Sequence, residues 1–171
     1  MAWSAYRLDS LAMNMTVAMT KKDNSPLILN AVKALTKRRV LVGFPKSTTA
    51  RKDEPITNAA LAYIHDNGSP LQGIPKREFM RPGIQEGRDK INAQLKRAGK
   101  ASLEGDKQGV ENGLIGAGLA GQASIRKKIV DGPFTPLKPA TIAARKRHGF
   151  QGTKPLTVTG QLRNAVNFIV E

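Results

Sequence analysis

The sequence predicts an α+β fold, a small antiparallel sheet packed against two longer helices with extended proline-rich arms and loops. Three observations predict it. Residues 11–19 and 166–170 carry apolar side chains at every second position, the period of two that a strand requires, near opposite ends of the chain. Residues 82–98 and 110–131 carry apolar side chains at helical spacing, long enough for four to seven turns. Ten prolines and sixteen glycines punctuate the rest.

The elements follow in order. Residues 1–24 read as an N-terminal strand or arm, with Leu11 to Met19 apolar at the odd positions. Ser25 and Pro26 form an N-cap and first-turn pair, and Ile28, Val32 and Leu35 share one face of a helix that ends near Lys37. Val40 to Pro45 is a short strand with Val40, Val42 and Phe44 on one side. The polar run 46–56 has too little apolar surface to bury and reads as a loop. Thr57 caps a helix through Ala60, Leu61 and Ile64 that Gly68 stops.

The stretch from 70 to 82 is extended, and Pro82 starts a helix bearing Ile84, Ile91, Leu95 and Ala98. A break at GDKQG precedes a second long helix that ends at Asp131 and Gly132. Five glycines interrupt that helix, at 109, 113, 116, 118 and 121; each costs about 1 kcal/mol relative to Ala, so they predict close approach of another element. Residues 133–158 are an extended arm around a short helix, Pro139 to Arg147, stopped by Gly149. Thr159 caps a two-turn helix, and Val166, Phe168 and Val170 alternate in a last strand.

A chain of 171 residues suits a single domain over 1–171, able to bury roughly 70% of its unfolded surface. The absence of cysteine excludes disulfides, iron–sulfur clusters and thiolate zinc sites. No signal peptide or membrane span is read, so a soluble, non-secreted protein is expected. The net charge of +15 favours polyanions or an acidic partner surface. It is spread out: ten basic against four acidic residues over 1–57, eight against five over 58–105, and ten against four over 106–171.

No catalytic constellation is legible. GAGLAG matches the G-x-G-x-x-G fingerprint at Gly116, Gly118 and Gly121, but it follows no strand, and no carboxylate stands about 20 residues on for a ribose. Helix packing is the expectation, with no cofactor and no metal. His65 and His148 belong to no spaced ligand set and read as surface residues. The carboxylates, among them Asp66, Glu78 and Asp89, are scattered mostly beside Lys or Arg. The basic clusters 37–39, 126–128 and 145–147 could hold phosphates without reading bases.

Four segments in order carry a resemblance: NAALAYIHDNGSPLQGIPKREFMRPGI, the glycine-dotted helix closing in IRKKIVDG, PFTPLKPATIAARK, and KPLTVTGQLRNAV. Over about residues 38–171 the chain resembles the neck and tail-completion (virion morphogenesis) proteins of tailed bacteriophages. The matching positions are Asn58, Ala59 and Gly68; Ile74, Pro75, Arg77, Phe79, Arg81 and Pro82; Pro136, Leu137, Pro139, Thr141 and Ile142; and Pro155, Leu156, Thr159, Gly160 and Leu162. Members of that family often have Arg-Pro-Phe where this chain has Arg77-Glu78-Phe79, which leaves the arm less stiff.

The resemblance implies a non-enzymatic structural virion protein at the head-tail junction, assembled in the host cytoplasm. It would form a hexameric or dodecameric ring between the portal or head-closure protein and the tail terminator or tail tube protein. Ile74, Pro75, Arg77, Phe79, Arg81, Pro82, Pro136, Leu137, Pro139 and Thr141 would contact neighbouring subunits or rings. Arg145, Lys146, Arg147 and Lys154 would face genomic DNA or an acidic partner, with no membrane involved. The rival expectations are a basic nucleoid- or ribosome-associated protein, from charge alone, and a small hydrolase or nuclease built from the scattered carboxylates.

Overall fold

The computed structural model describes residues 24–45 and 56–171. The strand expected at 11–19 and the loop expected from 46 lie outside the described residues, save for Ile56. The order is α1 (Ser25–Thr36), β1 (Val40–Gly43), α2 (Asn58–Asn67), a 3-10 turn (Pro70–Gln72), α3 (Met80–Glu86), α4 (Arg88–Leu103), α5 (Lys107–Asp131), α6 (Pro139–Arg147), α7 (Gln161–Ala165) and β2 (Asn167–Val170). The class is α+β, with the two strands antiparallel in the register Val40↔Val170 to Gly43↔Asn167. Arg39 and Glu171 extend the ladder by exchanging backbone hydrogen bonds of 2.8 and 2.9 Å.

The α4–α5 hairpin is the frame. Asp106 caps α5 by accepting the Gly109 N–H at 2.9 Å, and Gly105, at φ +76, makes the reversal. The helices close on small residues: a Cβ built on Gly113 would stand 2.7 Å from the Ala98 backbone nitrogen. On its other faces α5 receives the Phe168 ring at Gly118, a Val42 methyl at Gly121, and the backbone of α3, where a Cβ on Gly83 would meet Ile125 Cα at 2.9 Å. All five glycines of α5 are therefore points of close approach, and dense packing offsets their low helix propensity.

The core gathers beside the C-terminal half of α5. Phe79, Ile125, Ile129 and Val166 are fully buried and join Ala62, Leu156 and Leu162, with the Phe44 ring edge-on to Phe79 at a centroid distance of 6.4 Å. Leu156 enters this core from a left-handed backbone, φ +63, an uncommon conformation for a branched side chain.

Local boundaries differ from expectation in three places. The helix starting near Pro82 is two helices, α3 and α4, broken at Gly87, because both Gly83 and Gly87 are drawn close to α5, at Ile125 and Ser124. Asn24 precedes α1, which places Ser25 and Pro26 inside its first turn. Gly160, at φ +70, takes the N-cap position of a five-residue α7, while the Thr159 hydroxyl accepts the Gln161 N–H at 3.3 Å. No helix of the described residues is long and apolar enough to cross a membrane.

Candidate functional site

The two proline-rich segments, expected as arms reaching outward, fold back onto their own chain and form a groove between them. The first reversal is set at Gly68, φ +80, where any Cβ would meet Lys76 N at 2.9 Å and Ile74 O at 3.1 Å. Ser69 and Ile74 then pair through two 2.9 Å backbone bonds, with Gly73 left-handed and Leu71 wholly exposed at the tip. The returning strand locks onto α2: Arg77 N–H donates to His65 O at 2.8 Å, and Asp66 Oδ1 accepts the N–H of Phe79 at 2.8 Å and of Met80 at 3.0 Å.

The second segment supplies the opposite wall. Arg77 Nε donates to Thr135 O at 3.2 Å, stitching the two segments together. Pro139 opens α6 at its first position, where a missing N–H leaves no bond unmade. From the last turn of α6, Arg145 Nη1 donates to Gly152 O at 3.1 Å and Lys154 O at 2.8 Å, and so folds the 148–154 loop over its own guanidinium.

Between these walls lies an open groove of about 760 Å³, adjoined by a smaller cavity of about 390 Å³; His65, Arg77, Leu137 and Arg145 line both. Ile74, Pro75, Pro136 and Thr141 complete the larger groove. Among the described residues no carboxylate lines either one. Burial, followed by the Arg77 and Arg145 guanidiniums, pushes the His65 imidazole below its ordinary pKa. Burial also lowers Arg77, and burial and then Arg77 lower Arg145. His65 Nδ1 is buried with no hydrogen-bond partner among the described residues.

The expected contact residues are thus divided. Ile74, Pro75, Arg77, Pro136, Leu137 and Thr141 meet at the groove, together with Arg145. Phe79 is a correction: it has no exposed surface to offer a neighbour, because Asp66 holds its backbone against α2 and its ring fills the core. Arg77 is 6% exposed, so it reaches only what enters the groove. Arg81 and Pro139 are exposed and Pro82 half-buried in the first turn of α3. Lys146, Arg147 and Lys154 are exposed, whereas Arg145 turns inward and parts from its sequence neighbours.

His65 is a second correction, half-buried and facing two arginines instead of solvent; His148 is exposed as expected. Gly116, Gly118 and Gly121 lie inside α5, far from a strand-to-helix turn, so the fingerprint lacks the geometry that cradles a pyrophosphate. Several basic side chains are bonded within the chain. Arg38 meets Glu111 at 2.6 Å, Lys128 meets Glu86, and Arg126 donates to Val166 O at 2.8 Å. Among the described residues no group of three or more His, Asp or Glu is placed to hold a metal. Compared with known proteins, the chain matches no family model, no curated protein and no solved structure.

Proposed function

We propose that the protein is a structural component of the head-tail junction of a tailed phage, acting by assembly into a ring that joins the portal or head-closure complex to the tail. The four ordered segments of the resemblance supply the class. The observation that carries assembly is the surface: among the described residues sixteen large apolar side chains are exposed, against seven that are buried. Four of the sixteen, Leu27, Ile28, Leu29 and Val32, crowd α1, and Leu71 projects from the 3-10 turn. Singly exposed apolar residues are ordinary, but a cluster such as that on α1 is the kind of surface that serves as a contact face. A ring built from one patch against a different patch needs such faces and no catalytic cleft.

The folding back of the proline-rich segments changes the means of contact. Their outer faces and the groove between them would meet neighbours, as rigid features of each subunit that lose little entropy on docking. Nucleic-acid binding as the main activity draws less support, since the 37–39 and 126–128 clusters spend side chains on intramolecular bonds. Non-specific contact with DNA would fall to Lys146, Arg147 and Lys154.

Light scattering and electron microscopy of the protein, alone and co-expressed with whatever proteins are encoded on either side of it, test this reading. Closed rings that Leu27→Glu/Leu71→Glu abolishes while circular dichroism is unchanged are expected. A protein that stays monomeric with every such partner would overturn it.

A further inference from the structure

We infer that the groove between the two proline-rich segments is a carboxylate-binding site, in which His65, Arg77 and Arg145 receive the acidic side chain of an extended segment from a partner protein. Only the identity of the carrier rests on the assembly reading; the site itself rests on the donors.

Those donors are built in and unspent. Arg77 is 94% buried, yet of its five N–H groups only Nε has a partner among the described residues, the Thr135 carbonyl. Arg145 lines the groove and spends Nη1 on two carbonyls, while its other donors have no partner among the described residues. His65 adds a buried Nδ1 without a partner among the described residues. Among the described residues, two guanidiniums and an imidazole thus share a recess lined by no carboxylate, an arrangement that favours an anion.

Shape chooses the anion. A fork of guanidinium N–H groups matches a carboxylate in two parallel bonds. Ile74, Pro75, Pro136 and Leu137 give apolar walls for the side chains flanking that carboxylate in an extended peptide. The phosphates of a duplex lie on a convex rail that a 6% exposed arginine cannot reach, and among the described residues no Phe, Tyr or Trp lines the larger groove for a base to stack on.

Protonation of His65 would strengthen the site. It faces Arg77 on the returning strand and Arg145 on α6, with Lys76 and Lys138 also on the groove; the adjacent Asp66 is turned to the Phe79 and Met80 amides. Both arginines oppose that proton, so a bound carboxylate, by neutralising them, draws it on.

NMR titration of the whole chain, following the Arg77 and Arg145 Nε–H and His65 ring signals, tests the inference with sodium acetate, acetyl-Leu-Glu-Leu-amide, its Gln counterpart and sodium phosphate. Acetate should shift all three residues, and the Glu peptide should do so at least tenfold more tightly than either acetate or the Gln peptide, more so at pH 6 than at pH 8. Arg145→Gln should weaken the Glu peptide at least tenfold, and Arg145→Lys less. Equal response to the Glu and Gln peptides, or none to acetate and the Glu peptide, overturns the site, and that comparison needs no variant to fold. Phosphate binding more tightly than the Glu peptide overturns the peptide carrier. A failed titration with rings intact discards the site alone; a successful one without rings discards only the assembly.

Discussion

Asp66, in the last turn of α2, accepts the backbone N–H of Phe79, thirteen residues later, at 2.8 Å, and that bond seats the first proline-rich segment on the body of the protein. The same oxygen takes the Met80 N–H at 3.0 Å, so a carboxylate from one helix caps the start of another whose own N-cap residue, Phe79, has no side chain to do it. Removing it leaves two helix-start donors without a partner. Asp66→Ala should cost roughly 2–3 kcal/mol and Asp66→Asn distinctly less, read from urea denaturation. Equal losses would show that the hydrogen bonds carry little of the stability.

Glycines of the α4–α5 hairpin should split by what faces them. Gly113→Ala drives a methyl into the Ala98 backbone and Gly118→Ala drives one into the Phe168 ring, each destabilising by about 1–3 kcal/mol. Gly99, in α4, has nothing within 4 Å of a built Cβ, so Gly99→Ala should stabilise by up to ~1 kcal/mol. Thermal melts of the three variants decide, and a stabilising Gly113→Ala would refute the close approach.

Stability should follow the charge on His65. Its folded pKa lies below the ordinary 6.5, so the unfolded chain binds more protons. Its contribution is therefore fully present above about pH 6.5 and is lost as pH falls from there through the folded value. Denaturation midpoints should drop between pH 7 and pH 5 in the wild type and drop less in His65→Gln. Parallel curves would remove His65 as the cause.

The Val166 carbonyl is held twice, by Gln122 Nε2 at 2.9 Å and by Arg126 Nη2 at 2.8 Å. Either donor alone keeps this buried oxygen satisfied. Gln122→Ala and Arg126→Ala should each cost roughly 1 kcal/mol, and the double variant more than their sum, by 0.5 kcal/mol or more on a rough scale. Strict additivity in a double-mutant cycle would show that the two donors act independently.

Elements with local signals were legible in the chain. The Thr57 cap, the Gly68 stop, the Pro139 start and the β1 and β2 alternation each depend on residues within four positions of one another. The glycine run of α5 also announced its use, since its propensity cost needed a packing return. Misread boundaries were those set from a distance, such as the Gly87 break, where α5 draws the backbone in. The groove was half visible: Ile74, Pro75, Arg77, Pro136 and Leu137 were singled out as contact residues, and Arg145 separately as a phosphate ligand. His65 was not, because a histidine near a helix end resembles any surface histidine until the segment after Gly68 returns over it.

By itself, then, the sequence determined the α+β class, most of the helices and both strands of the described sheet, and a cysteine-free, strongly basic composition, because periodicity, caps and charge are properties of short windows of chain. Tertiary structure alone decided that the proline-rich segments lie flat against their own core, and that His65, Arg77 and Arg145 meet in one recess. Proline stiffens a segment without aiming it. Direction came from the left-handed turn at Gly68, the Asp66 cap and the burial of Phe79, contacts between positions whose pairing no local pattern encodes.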